Sequence, residues 1–246
     1  MDRSLFIAMS GAKQTLLAQS ANANNLANAQ TTGFKADLNQ MRSQSVFGPG
    51  YPSRVYAQSE RPAINLNPGP LQTTGNDLDI AIAGSGFLAV QTPDGNEAYT
   101  RSGDLRLTAE GQLQTRTGLP VIGNNGPIAI PPSSKITFHS DGTISIVPLG
   151  NNPNAQAIVD RLKLVNPPPA DLYKREDGLL HLRDGGEADP DITVKVNQGL
   201  LEGANVNPIQ GMVDMIELAR NFELQTKVMQ STDENAAAAA ELLRMA

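Results

Sequence analysis

The side chains that could perform catalysis are few in this chain and are not arranged for it. There is no cysteine, and the two histidines, His139 and His181, fall in predicted strands without a Ser and Asp/Glu constellation nearby. Gly84-Ser85-Gly86 resembles a nucleophile elbow only loosely, because that motif requires G-x-S-x-G with strand and helix on either side. We therefore predict a tight turn at this point and no nucleophile.

Metal, phosphate and nucleic-acid sites are not predicted either. The carboxylate pairs Asp77/Asp79 and Asp94/Glu97 lie on predicted turns and lack the spacing of a calcium loop. The phosphate-binding patterns G-x-x-x-x-G-K and G-x-G-x-x-G do not occur. The net charge is −6 without a basic run, which argues against nucleic-acid binding. The sequence thus predicts no catalytic, cofactor-binding or metal-binding residues, and a chain that is not an enzyme.

Heptad-spaced apolar positions occur instead at both ends of the chain. The N-terminal series is Leu5, Met9, Ala12, Leu16, Gln19, Ala23 and Leu26. The C-terminal series is Met212, Met215, Ala219, Phe222, Thr226, Met229, Asp233, Ala236, Ala240 and Leu243. A repeat of about 3.5 residues over this length favours helices that supercoil against a partner. Two amphipathic helices packed on an ordinary core remain the alternative.

The N-terminal helix is poor in charge and rich in amides. Between Ser4 and Phe34 the one charged residue is Lys13, and asparagines crowd the last turns of the helix. Asparagine is unfavourable inside a helix because its amide competes for backbone hydrogen bonds. We therefore expect this helix to form when the protein assembles, with Asn24, Asn25 and Asn28 bonding across subunits.

The middle of the chain has the pattern of short antiparallel strands. Three hairpins with three-residue loops are predicted, at Pro93-Asp94-Gly95, Ala109-Glu110-Gly111 and Ser140-Asp141-Gly142. In the third, this loop places Phe138 opposite Ile144 and puts the apolar residues on one face, whereas a two-residue turn would scatter them.

These observations predict an α+β protein, with an antiparallel coiled coil of N- and C-terminal helices plus a central β-rich domain of short antiparallel strands. The predicted divisions are an N-terminal helix at 1–35, an extended linker at 36–75, the β domain at 76–200 and a C-terminal helix at 201–246. The start of the chain lacks the apolar core of a signal peptide, and no stretch approaches the ~20 apolar residues of a membrane span. We expect no membrane insertion and no cleaved signal.

Both ends carry motifs of a known family. MSGA (9–12), NNLAN (24–28) and TTGFK (31–35) resemble the N-terminal signature of the flagellar rod and hook axial proteins, and GLLEGANVNP (199–208) resembles their C-terminal signature. NDLDIAIAGSGFLAV, YTRSGDLRLTAEGQL and GLPVIG are similar to their central domain. Ala204 departs from the family pattern, which often has Ser there, and residues 19–23 lack the apolar stretch of many relatives.

The resemblance implies a structural subunit of the bacterial flagellar basal body. It implies export through the flagellar type III apparatus, helical assembly with copies of itself and other rod proteins, a rod spanning the periplasm, and torque transmission from motor to hook. In this reading the terminal helices line an inner tube, and residues 36–75 brace neighbours. The opening, the length and the ending favour the proximal rod. The alternatives are a distal-rod or hook-type subunit, a peptidoglycan-acting enzyme and a surface adhesin.

The residues predicted to act are therefore assembly contacts. Leu5, Met9, Leu16 and Leu26 are expected to face the methionines and Phe222 of the C-terminal helix, and Gly33 is expected to be positional. The full set of predicted interface residues is Leu5, Met9, Leu16, Asn24, Asn25, Leu26, Asn28, Gly33, Phe34, Asn205, Met212, Met215, Ile216, Phe222 and Met229.

Overall fold

The computed structural model of the protein describes residues 4–38, 41–47, 55–59, 63–150, 156–175 and 177–244. Contacts within the chain divide it into two units. The first unit comprises Met1–Asn28, Asp37–Asn65 and Val206–Ala246, and the second comprises Ala29–Ala36 and Leu66–Asn205. Residues 36–75, which the sequence suggests are a linker, are thus shared between the two units.

The first unit contains two long helices. α1 spans Ser4–Ala27 and α2 spans Pro208–Arg244. Asn207 caps α2, because its Oδ1 accepts hydrogen bonds from the backbone N–H groups of Ile209 (3.1 Å) and Gln210 (3.3 Å). Pro208 suits the first helical position, where a backbone N–H would have no partner inside the helix. Among the described helices, none is long and apolar enough to cross a membrane.

The two helices pack against each other in antiparallel directions. Near the start of α1, Ser4 Oγ donates to Thr232 Oγ1 over 3.4 Å. Near its end, Asn22 Nδ2 donates to the carbonyl oxygen of Gly211 over 2.7 Å. The early residues of α1 therefore meet the late residues of α2, which is the predicted antiparallel order.

The remaining described chain contains many short strands. In chain order they are β1 Asp37–Leu38, β2 Met41–Ser45, β3 Val55–Ser59, β4 Ala63–Ile64, β5 Leu71–Thr73, β6 Ile80–Ala83, β7 Phe87–Gln91, β8 Glu97–Thr100, β9 Leu105–Leu107, β10 Leu113–Thr115, β11 Ile122–Gly123, β12 Gly126–Pro127, β13 Ser133–Phe138, β14 Thr143–Pro148, β15 Ala157–Arg161, β16 Leu164–Val165, β17 Leu172–Lys174, β18 Leu180–Leu182, β19 Lys195–Gln198 and β20 Leu200–Glu202. A 3-10 turn at Pro169–Asp171 precedes β17.

The strands pair antiparallel throughout the described residues. The second unit holds a five-stranded sheet in the order β16-β7-β8-β18-β17 and a three-stranded sheet β13-β14-β15. Its smaller pairs are β5-β20, β6-β19, β9-β10 and β11-β12, and the first unit holds β1-β4 and β2-β3. The predicted α+β class with short antiparallel strands is confirmed.

The three predicted hairpin registers are confirmed. In β13-β14, Phe138 lies opposite Ile144 and Ile136 opposite Ile146. Gly142 in the loop has φ +86°, the left-handed conformation that this hairpin loop requires. The other two registers pair Leu107 with Leu113, Leu105 with Thr115, Leu88 with Thr100 and Val90 with Ala98.

Aliphatic side chains from many strands form the core of the second unit. Fully buried members include Ile80, Leu88, Val90, Leu113, Val121 and Ile144. The two last strands complete this unit by pairing with early ones: residues 195–198 pair with 80–83, and residues 200–202 pair with 71–73. The unit is therefore held by contacts between distant parts of the sequence.

Candidate assembly surface and a buried charge cluster

The histidines and the Gly-Ser-Gly turn stabilise local structure. His139 Nε2 lies 2.8 Å from Ser145 Oγ, across the β13-β14 hairpin. His181 is buried, and its Nε2 lies 3.3 Å from Asp177 Oδ2 in the turn before β18. Residues 84–86 form the turn between β6 and β7, as predicted. Among the described residues, no group of three or more His, Asp or Glu side chains could hold a metal ion.

Small side chains form the buried face of α1. Its buried residues are Ala8, Ala12, Thr15 and Ala18. The structure does not place Leu5, Met9 and Leu16 in the predicted seam with α2, because 39%, 54% and 50% of these residues is exposed. The buried positions 8, 15 and 18 stand one place before the predicted 9, 16 and 19, and they repeat with the same heptad spacing. Spacing alone therefore could not separate the two faces.

The predicted seam residues of α2 differ in exposure. Met215, Phe222 and Met229 are half-buried. Met212 and Ile216 are instead exposed, by 54% and 56%.

Both helices consequently present large apolar side chains outwards. We call these two sets the apolar faces. The apolar face of α1 consists of Leu5, Phe6, Met9, Leu16 and Leu17, which are 39–56% exposed. The apolar face of α2 consists of Ile209, Met212, Val213 and Ile216, which are 45–75% exposed and follow the i, i+3, i+4, i+7 spacing of one helix stripe. Clustered exposed apolar residues of this kind mark interaction surfaces.

The asparagines at the end of α1 have partners inside the chain. Asn25 Nδ2 donates to the carbonyl oxygen of Asp37, and its Oδ1 accepts from the N–H of Asp37, both over 2.8 Å. Asn24 Nδ2 donates to Asp37 Oδ2 over 3.0 Å, and Asn28 Nδ2 donates to Asn24 over 3.0 Å. Leu26 is half-buried. The bonds that the structure shows are within the subunit, and bonds across subunits stay a prediction.

Gly33 occupies a position that no other residue fits. Its φ is +69°, and a Cβ atom there would lie 2.2 Å from the backbone nitrogen of Ser102. Its N–H donates to the main-chain oxygen of Glu202 over 2.7 Å. The predicted positional role of Gly33 therefore has a physical basis: the backbone of residues 29–36 lies directly on the rest of the second unit.

Phe34 and Asn205 fix the same segment. Lys174 Nζ lies 3.9 Å from the centroid of the Phe34 ring, a cation–π contact, and also donates to the Lys35 carbonyl over 3.0 Å. Asn205 Oδ1 accepts a hydrogen bond from the N–H of Ala36 over 2.8 Å. Both residues were predicted as assembly contacts, and the contacts shown here are within the second unit.

A buried charge cluster lies beneath this segment. Glu202 Oε1 accepts from Lys35 Nζ over 2.6 Å, and Glu202 Oε2 accepts from Arg101 Nη1 over 2.7 Å. The three side chains are between 1% and 4% exposed. Gly69 N–H donates to Glu202 Oε1 over 2.9 Å, and Lys35 Nζ donates to the carbonyl of Asn67 over 2.8 Å. One buried carboxylate thus forms ion pairs with two buried cations.

Burial and ion pairing act in opposite directions on these groups. Burial by itself raises the pKa of Glu202, but hydrogen bonds from Lys35, Gly69 and Arg101 outweigh it and hold that pKa below its usual range. Burial lowers the pKa of Lys35, and the bond to Glu202 offsets this only in part. The carboxylate therefore stays ionised, and the cluster depends on that charge.

Sequence patterns alone do not predict this cluster. Its three charges lie in strings that the family resemblance singles out: Lys35 ends TTGFK, Arg101 lies in YTRSGD, and Glu202 lies in GLLEGANV. Which charges meet, however, is decided by the fold, because Lys35 and Glu202 are 167 residues apart along the chain.

Comparison with known proteins agrees with this architecture. Three family models match successive parts of the chain: the flagella basal body rod protein model at residues 5–35, the flagellar hook protein FlgE/F/G D1 domain at 81–146, and the flagellar basal body rod FlgEFG protein C-terminal model at 197–242. They cover α1 with the following segment, the hairpin-rich part of the second unit, and α2.

Curated relatives match over their whole length. The chain is 43% identical over 251 residues to the flagellar basal-body rod protein FlgF of Escherichia coli and to that of Salmonella typhimurium, with 100% of both chains covered in each case. It is 30% identical over 260 residues to the rod protein FlgG of Buchnera aphidicola, covering 94% of this chain and 96% of that one. With full-length identity of this degree, the chain belongs to the FlgF family of flagellar basal-body rod proteins.

Proposed function

We propose that this structural subunit of the flagellar basal-body rod assembles through the apolar faces of α1 and α2. The observation that carries the proposal is the exposure of large apolar residues on both helices. Small residues of α1 are buried, while Leu16 and Met212 are 50% and 54% exposed. In an assembly with helical symmetry, copies and related rod proteins would cover these faces. Burial of a Leu or Met side chain contributes about 1.5–3 kcal/mol, which gives the exposed residues a strong drive to associate.

We also propose how the helices are arranged and where the subunit lies in the rod. The helices of each subunit would supercoil as an antiparallel coiled coil, since the buried Ala8 and Thr15 of α1 and the half-buried Met215, Phe222 and Met229 of α2 recur every seven residues. We place the subunit in the proximal rod, because identity to the FlgF proteins, at 43%, exceeds the 30% to a FlgG protein. Export through the flagellar type III apparatus, passage of the rod through the periplasm and transmission of torque complete the proposed role.

Leu16→Asp tests the apolar face directly. A carboxylate at this half-exposed position leaves the buried series of α1 unchanged, so the soluble protein should keep its circular dichroism spectrum. It should nevertheless be lost from purified hook–basal bodies, measured by quantitative mass spectrometry. Ile192→Asp is the matched control, because Ile192 is 69% exposed but belongs to the second unit and to neither helix.

The outcomes separate assembly from export. Secreted protein in the medium should contain both variants, while basal bodies should contain wild type and Ile192→Asp only. Equal incorporation of Leu16→Asp would refute the apolar face as an assembly contact. Absence of the wild-type chain from basal bodies would refute the rod role altogether.

A further inference from the structure

We propose that the second unit contains a binding site for a primary alkylammonium group, and that Lys35 fills this site from within the chain. In this proposal residues 29–36 form a strap, and the ammonium site decides whether the strap is docked. The inference concerns the single subunit and does not depend on its place in the rod.

Two oxygen atoms define the site. Glu202 Oε1 lies 2.6 Å from Lys35 Nζ, and the main-chain oxygen of Asn67 lies 2.8 Å from it. One acceptor is ionised and the other is a backbone carbonyl, which is suitable chemistry for a compact, strongly donating ammonium. The Lys35 side chain is 4% exposed, so these acceptors replace most of its hydration.

Groups outside the strap hold this site in place. Arg101 Nη1 binds the second oxygen of Glu202 over 2.7 Å, and Gly69 N–H binds the first over 2.9 Å. Arg101 also donates to the carbonyl of Gly84 and stacks over the Phe87 ring at 5.5 Å. None of these contacts involves residues 29–36, so the carboxylate is oriented before Lys35 arrives. It therefore behaves as a preorganised receptor for the strap.

Lys35 is the one charged residue of the strap. Lys174 contacts the strap through the Phe34 ring and the Lys35 carbonyl. Other strap contacts join neutral donors and acceptors, such as the 2.7 Å bond from the N–H of Gly33 and the 2.8 Å bond from the N–H of Ala36. These two amide hydrogens report docking, because both should exchange with solvent when the strap leaves. Leu113 N–H, which donates to Ile128 in the core over 2.9 Å, reports the folding of the unit itself.

The deletion Lys35→Ala tests the site by chemical rescue. It removes Cγ, Cδ, Cε and Nζ, the atoms of n-propylammonium, while Glu202 and Arg101 stay in place. In the full-length protein we expect the Gly33 and Ala36 amides to exchange at least about tenfold faster, with Leu113 unchanged, because only the strap opens. Adding n-propylammonium should slow both amides again in a saturable way.

Three controls separate ammonium binding from other effects. n-Propanol fills the same space without charge, and sodium chloride supplies ionic strength without the alkyl group; neither should slow exchange. Lys163→Ala removes a different lysine, whose Nζ lies 2.6 Å from Glu97 in the same unit. That variant should leave Gly33 and Ala36 protected, because its ion pair is not part of the strap.

Unchanged exchange in Lys35→Ala, or equal rescue by n-propanol, would overturn the ammonium site. Should Lys35→Ala fail to fold in buffer, n-propylammonium but not n-propanol must restore its dispersed amide spectrum. Lys35→Met provides a second variant that keeps the volume of the stem; slow exchange of its strap amides would also overturn the proposal.

Discussion

Replacing Glu202 by glutamine should destabilise the second unit far more than removing an exposed ion pair. Glu202→Gln keeps the size of the side chain and an oxygen for the N–H of Gly69. It removes the charge that lies 2.6 Å from Lys35 and 2.7 Å from Arg101. Two buried cations then remain near each other without an anion.

The expected loss of stability follows from the burial of the cluster. Removing one partner from a buried ion pair costs about 3–5 kcal/mol, because the remaining charge is left out of water uncompensated. For a unit of this length, that corresponds to a fall in melting temperature of about 6–20 °C. The comparison variant is Arg116→Gln, since Arg116 pairs with Asp104 at 3.0 Å but is 79% exposed. Exposed pairs of this kind contribute about 0–1 kcal/mol.

The assay is urea unfolding of the full-length variants, followed by NMR signals of the second unit. Signals such as those of Ile144 and Leu113 should be followed separately from helix signals, because two units need not unfold together. A free-energy loss in Glu202→Gln no larger than in Arg116→Gln would refute the reasoning. It would mean that the cluster is solvated enough for the charge of Glu202 not to matter.

Two further predictions concern pH and the helix seam. Since the folded-state pKa of Glu202 lies below its ordinary 4.5, the unfolded chain takes up the proton first as pH falls, and the stabilisation is then lost. Urea midpoints should therefore drop between about pH 5 and pH 3. The Glu202→Gln variant has no carboxyl group to protonate at this position, so its urea midpoints should depend less on pH, although Lys35 and Arg101 remain. Ala18→Leu should destabilise the packing of α1 by about 1–3 kcal/mol through overpacking, because Ala18 is only 8% exposed. Helix melting followed by circular dichroism would show this loss. Ala23→Leu, at an exposed position, should change the stability of the helices little.

Sequence reasoning succeeded where the information was local. The hairpin around Gly142 was predictable because a strand alternates its faces every residue, so that only one loop length puts Phe138, Ile144 and their neighbours on the same side. The presence of the two helices was predictable for a similar reason, since heptad spacing persists through each. Their bounds differ from the predicted 1–35 and 201–246, because α1 spans Ser4–Ala27 and α2 spans Pro208–Arg244. The cap at Asn207-Pro208 is also a local signal.

The buried face of α1 differs from the face that hydrophobicity alone predicts. Leu16 is more apolar than Thr15, so the sequence favoured Leu16 for the interior. In the structure Thr15 is buried, and its Oγ1 donates to the Gly11 carbonyl over 2.9 Å, which satisfies its hydroxyl inside the helix. Leu16 is left half-exposed. In a subunit built to contact its neighbours, the largest apolar residues need not belong to the core of the subunit.

The charge cluster was out of reach for a different reason. Lys35, Arg101 and Glu202 come together only when β20 pairs with β5. These two strands are far apart along the chain. No spacing rule connects such positions.

The order of the chain gives this cluster a consequence for folding. The strap lies near the N-terminus, while Glu202 and β20 come just before α2. If the chain emerges N-terminus first from an export channel, Lys35 leaves well before its partner, and the second unit lacks β19, β20 and Glu202 until about residue 205. Contacts of such long range must wait for loop closure. The strap would then stay open through most of export, with α1 still attached to an undocked segment, and it would close only when the last strands arrive. Glu202→Gln should therefore permit export and impair the final docking of the strap, a combination that separate measurements of secreted protein and of Gly33 amide protection would reveal.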